Sequence, residues 1–165
     1  MTACKPEYTI EPWGRGHEVW LRSALTRFLE AGLARGADTL PTPHNVEILL
    51  GLGLALARRG DPCLLAVANC GPVAYVEWGD PQALHPPGER VELRWRTCQT
   101  FGSFTEPEWR HRGVAGALRA EAKRIVIAHG YERITGAMDL TNPRGIEEMV
   151  LQGGWPVHMI METLV

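Results

Sequence analysis

Apolar residues recur at three- and four-residue spacing between Gly16 and Ala34, at Trp20, Leu21, Leu25, Phe28, Leu29 and Leu33. That spacing predicts a helix with one buried face, with Gly32 and Gly36 marking its end region. A short edge strand, Tyr8 to Pro12, precedes it. A second helix opens at Thr42-Pro43, with Thr42 as cap and Pro43 at the first helical position. It runs through Val46, Leu49, Leu50, Leu54, Leu56 and Ala57 to Arg58-Arg59-Gly60, where the dipole favours the basic pair and Gly60 can close the end. Gly51 and Gly53 each cost this helix roughly 1 kcal/mol against alanine, which implies close helix packing or a kink. Cys63 to Asn69 is a compact apolar run suited to a buried strand. Asn69 to Pro72 supplies turn chemistry, and Val73 to Trp78 follows as a partner, so the two predict a hairpin. Gly79 to Glu89 is a proline-containing loop. Val91 to Phe104 alternates as a third long strand, bent around Arg94 to Thr97. A helix follows from Ala117 to Ala128, ended by Gly130. Tyr131 to Leu140 is strand-like, Pro143 to Gln152 is a short helix stopped by Gly153-Gly154, and Trp155 to Val165 is a final strand region. The order is that of an α+β, or mixed α/β, layered fold.

Composition narrows this little. At 165 residues the chain is most simply one domain, residues 1–165, with room for a real core. Hydrophobic content of 45% with 22% charged residues is that of a globular protein. A formal net charge of −2 gives no whole-protein drive toward nucleic acid or membrane. No apolar run is long enough to span a bilayer; Val46 to Ala57 is the nearest. Cys4, Cys63, Cys70 and Cys98 show neither a C-x-x-C pair nor metal-ligand spacing, and buried free thiols are expected for Cys63 and Cys98. Without a secretion signal, a reducing cytoplasm is the expected location.

The stretch that carries chemistry is Thr105-Glu106-Pro107-Glu108-Trp109-Arg110-His111-Arg112-Gly113-Val114-Ala115-Gly116, set between a strand and a helix. A helix start leaves its first N–H groups unpaired and carries the positive end of the dipole, which suits a phosphate or pyrophosphate. Arg110 and Arg112 add forked donors for the same anion. Arg119, Lys123 and Arg124 extend the basic segment, or form a solvated helix face. Two common phosphate motifs fail: there is no G-x-x-x-x-G-K-[ST] and no G-x-G-x-x-G with a ribose-binding acid.

Arg110-x-x-Gly113-x-Ala115 resembles the Arg/Gln-x-x-Gly-x-Gly/Ala signature of the GNAT (Gcn5-related) N-acetyltransferase superfamily, and Thr105-x-Pro107 stands where that family usually has Val-x-Pro. The order of elements is also that of the GNAT fold, a mostly antiparallel sheet with helices on both faces. The resemblance implies acetyl-CoA as co-substrate. Backbone groups of Phe104 and Thr105 would bond the pantetheine, and N–H groups from Arg110, His111, Arg112, Gly113, Val114, Ala115 and Gly116 would hold the pyrophosphate. Asn142, opening the helix after the fifth strand, would lie near the pantetheine arm or serve as a plain helix cap, and Gly153-Gly154-Trp155 matches a Gly-aromatic pair with one extra residue. The reaction would be direct attack of a primary amine on the thioester, with a backbone N–H near Thr105 polarising the carbonyl.

The proton-transfer groups are less clear in the residues. The family frequently places a Tyr acid seven residues after the Asn, and Met149 stands there. Thr97, Gln99, Phe101 and Ser103 are expected to share a face with Thr105, and none is a good base. Glu77 on the preceding strand is the best carboxylate candidate; Asp139 and His158 are others. The amine acceptor, small molecule or protein, is open; Trp20, Trp78 and Trp95 could line its pocket or fill the core. An alternative reading is a GNAT-fold CoA-binding module without efficient catalysis. A nucleic-acid-bound member is a weaker one, opposed by the mild acidity of the chain. A homodimer through the last strands is a family expectation.

Overall fold

The computed structural model describes residues 7–34, 39–80, 82, 87–89, 96–136 and 147. Within them one mixed sheet runs in the order β1 (Tyr8–Pro12), β2 (Cys63–Ala68), β3 (Gly71–Gly79), β4 (Thr97–Thr105), β5 (Arg133–Gly136). The first three pairings are antiparallel and β4–β5 is parallel. Parallel neighbours need a crossover, and α3 (Val114–Ala128) supplies it between β4 and β5. The helices α1 (Glu18–Leu33) and α2 (Pro43–Arg58) fill the connection from β1 to β2.

Alternation along the strands divides the core into two layers. Leu65 and Tyr75 point with Trp13, Leu21, Leu25 and Leu50 into the α1/α2 layer. Leu64, Ala66, Val76 and Cys98 point with Val114, Leu118, Ala122 and Val126 into the α3 layer. The four α3 residues recur every fourth position, so one stripe of that helix is buried and the rest faces out. Tyr75 is the hub of the first layer: Trp13 meets it edge-on at 5.2 Å, and Phe104 stacks on it at 6.3 Å.

Several expected boundaries shift. A single 3-10 turn, Arg15–His17, precedes α1, which therefore starts at Glu18 and keeps Gly32 inside it. The α3 helix begins at Val114, a turn earlier than the Ala-rich run suggests. Thr42 caps α2 as expected, its hydroxyl accepting from the Asn45 N–H at 3.2 Å. Gly60 follows the helix with φ +81. The two α2 glycines differ. A Cβ on Gly53 would lie 2.1 Å from the Trp13 ring, so this glycine lets an aromatic side chain, rather than another helix, approach; Gly51 faces open space.

The largest correction lies in β4. Glu77 pairs with Gly102 and Trp78 with Thr100, so Phe101 is an extra residue, a β-bulge. The alternation therefore reverses there: Phe101 and Phe104 both pack on the α1/α2 layer. Thr105, opposite Ala74, belongs to the other face, so Phe101 does not share a face with Thr105. Apart from residue 147, the helix expected at 143–152 lies outside the described residues, as do the strand expected at 155–165, the start of the 91–104 strand, and Cys4, Trp95, Asp139, Asn142, Met149 and His158.

Candidate active site

The site begins where β4 ends. Glu106 N–H donates to Val73 O at 2.9 Å, extending the β3–β4 ladder by one residue. In an antiparallel pair mutually bonded and non-bonded residue pairs alternate, so Phe104–Tyr75 is the next bonded pair. The Thr105 N–H and C=O then turn away from β3, toward the β5 side. Described pairing between β4 and β5 runs from Thr97–Arg133 to Thr100–Gly136. Phe104 consequently offers its ring to the α1/α2 layer, while its backbone groups face β3.

Beyond Thr105 the chain makes one 3-10 turn, Pro107–Trp109, closed by Trp109 N–H to Glu106 O at 2.9 Å. Two left-handed residues then bracket Arg112: His111 at φ 61 and Gly113 at φ 80. Such alternation turns successive N–H groups into one concavity. Gly113 is the cap residue of α3 and supplies no side-chain cap. The N–H groups of Val114, Ala115 and Gly116 thus have no partner within the helix. Val114 is buried and anchors the helix, whereas Gly116 is exposed and a Cβ there would meet nothing within 4 Å. The turn has room for a bulky anion lying against backbone.

The basic side chains are placed unequally. Arg110 folds back, its Nε donating to Thr105 O at 3.1 Å, and so braces the turn. The Arg112 guanidinium lies 5.7 Å from the Trp109 ring centroid. An open cleft of about 910 Å³ runs from Arg112, Gly113 and Ala117 to Tyr8 and Asn69. Arg124 is forked onto Glu121, at 2.9 and 2.6 Å, and belongs to a solvated helix face.

Glu77 lies on the α1/α2 side of the sheet, opposite Cys63 and Gly102, and is 2% exposed. Burial pushes its carboxyl up to about 8. Among the described residues neither its Oε1 nor the Tyr75 hydroxyl has a hydrogen-bond partner. Trp78 is core of the α3 layer, and Trp20 sits at the edge of the other one. Cys63 and Cys98 are free and buried, as expected, and Cys70 is free and exposed. Among the described residues no cluster of His, Cys, Asp and Glu could hold a metal, and no helix is long and apolar enough to cross a membrane.

Sequence reasoning missed Glu106. The residue is buried, and its carboxylate takes a forked bond from Arg27 and a third from Trp20. A signal was present: Arg27 follows Trp20 by two helical turns and falls beside the inward stripe of α1, where a charge calls for a partner.

No protein-family model and no curated protein matches the sequence. Solved structures do. An aminoglycoside N-acetyltransferase, AAC(6')-Iy, in complex with CoA matches with TM-score 0.68 and 14% identity over 100% of this chain and 99% of its own. The same enzyme with the bisubstrate analogue CoA-S-monomethyl-acetylneamine matches with TM-score 0.66 and 14% identity, over 96% of this chain and 98% of that one. A variant of the BH1408 protein from Bacillus halodurans matches with TM-score 0.74 and 15% identity, over 95% and 99%. The fold of this chain is therefore the GNAT fold, α+β with a five-stranded mixed sheet in the described residues.

Proposed function

We propose that the chain is an N-acetyltransferase that moves the acetyl group of acetyl-CoA to a primary amine. The observation that carries this reading is the open start of α3: a left-handed glycine cap, a left-handed His111 two residues before it and first N–H groups with no partner within the helix, reached from the end of β4 by a single 3-10 turn. The fold adds support, since AAC(6')-Iy, which shares it, is solved with CoA. In this reading the N–H groups of Gly113 to Gly116 hold the pyrophosphate, Arg112 supplies charge, and Asn142 flanks the pantetheine. The Thr105 N–H, turned away from β3, polarises the thioester carbonyl. The amine nitrogen bonds to the carbonyl carbon, the carbon–sulfur bond breaks, and the nitrogen's proton must leave while the thiolate gains one. Glu77 is the candidate proton acceptor. A carboxyl held near 8 is a stronger base than an ordinary one, and it acts only once ionised.

A second reading, a CoA-binding module with poor turnover, is favoured by the depth of Glu77 and by Met149 at the family's Tyr position. Calorimetric titration with acetyl-CoA, followed by thiol release against a panel of amines, separates the two. Binding with release establishes the transferase and its acceptor class; binding without release across the panel supports the module. Gly113→Asp and Gly113→Asn test the turn itself. Both side chains tolerate left-handed backbone comparably, so strain is matched and only charge differs. We expect the Asp variant to lose CoA affinity at least tenfold relative to the Asn variant. Equal affinities would remove the phosphate from this turn.

A further inference from the structure

The point where the chain leaves β4 is held from a distant element. Trp20 and Arg27 stand two turns apart on α1, on one flank. Trp20 Nε1 donates to Glu106 Oε1 at 3.0 Å. Arg27 Nη1 donates to Glu106 Oε2 at 2.5 Å, and Nη2 donates to Oε1 at 2.7 Å. This is the planar fork that fixes direction as well as distance. The same guanidinium lies 4.9 Å from the Phe104 ring centroid. The Glu106 side chain is 11% exposed and that of Arg27 38%. Glu106 is also tied through its backbone, N–H to Val73 O and C=O from Trp109 N–H, both at 2.9 Å. The carboxylate, N–H and C=O of Glu106 are thus all engaged at this junction.

We propose that the Arg27–Glu106 fork, with Trp20, positions the CoA turn: it sets the angle at which the chain leaves β4, so that the Thr105 N–H and the first N–H groups of α3 converge on one ligand. The proposal rests on the CoA reading above. Glu106 and Arg27 are positioning residues and need not touch the ligand. A purely structural ion pair is the competing account. Neutralising both members of a partly buried pair leaves no charge stranded, whereas removing one partner strands the other. The two accounts therefore diverge when both charges are removed together.

The test uses Arg27→Met, Glu106→Gln, the double variant and Arg27→Lys, each measured for thermal midpoint and, below the lowest midpoint, for acetyl-CoA affinity by calorimetry. Wild type binds acetyl-CoA in the expected result. Each neutralised single variant loses midpoint and affinity. The double variant recovers most of the midpoint but remains at least tenfold weaker in affinity. Arg27→Lys keeps the charge without the fork; its midpoint stays within a few degrees while its affinity falls several-fold, and it decides the matter if the double variant does not fold. Recovery of both properties in the double variant, or wild-type affinity in Arg27→Lys, overturns the proposal and leaves the CoA reading standing. Absence of binding by wild type overturns both.

Discussion

Glu77 is the residue whose environment departs furthest from what its type prefers. It is an acid among Tyr75, Cys63 and apolar neighbours, with one oxygen lacking a partner among the described residues. A carboxylate there would be poorly solvated, so the neutral form is favoured and the pKa rises from roughly 4.3 in an unfolded chain to about 8. Between these values the folded protein holds more protons than the unfolded one. This contribution to stability is therefore complete at the acid end, declines as pH rises through the window and is lost above about 8. Glu77→Gln removes that slope. In denaturant titrations we expect the variant to be the more stable form at pH 9, by on the order of a few kcal/mol, and the advantage to shrink toward pH 5. A wild-type stability that does not fall between pH 5 and 9 would refute the buried neutral acid. If Glu77 is also the proton acceptor, turnover changes in the opposite sense, rising through the same window, and the Gln variant loses about a hundredfold in kcat with unchanged CoA affinity.

At the scale of elements, local signals worked where the physics is local. Thr42-Pro43 marked the start of α2, and the turn at 69–72 joined β2 to β3. They failed where a distant partner decides. Gly51 and Gly53 are indistinguishable in sequence, yet the Trp13 ring occupies the space a side chain on Gly53 would need. We expect Gly51→Ala to raise stability by up to about 1 kcal/mol through helix propensity. Gly53→Ala should lower it by about 1–3 kcal/mol through overpacking; thermal unfolding of the two variants checks both signs. The bulge at Phe101 was unreadable for the same reason, since alternation within β4 carries no record of its register with β3. The Glu106 junction was half-readable: Arg27 on the inward flank of α1 announced a buried partner, but only the tertiary structure says which acid answers it.

At the largest scale the described residues form a sheet between two unlike layers, α1 and α2 on one side and α3 on the other. The sequence resemblance anticipated this arrangement because its motif sits at the β4–α3 junction, with the first helix layer before it in the chain and the second after it. The amine side was less legible: candidate loops and strands cannot be ranked without the packing that brings them together. The two layers also carry unequal chemistry, with Glu77, Tyr75 and the Arg27–Glu106 fork facing one and the anchoring stripe of α3 facing the other. Each layer happens to hold one sealed thiol, Cys63 in the first and Cys98 in the second. With Cys4 and Cys70 replaced by serine, these two become stopwatches for the separate halves of the protein. An alkylating reagent, read by mass spectrometry over time, would show which slab parts from the sheet first. We expect Cys98 to be modified ahead of Cys63, because among the described residues one helix packs on its layer where two pack on its counterpart's; simultaneous labelling would mean that the halves come apart as a single unit.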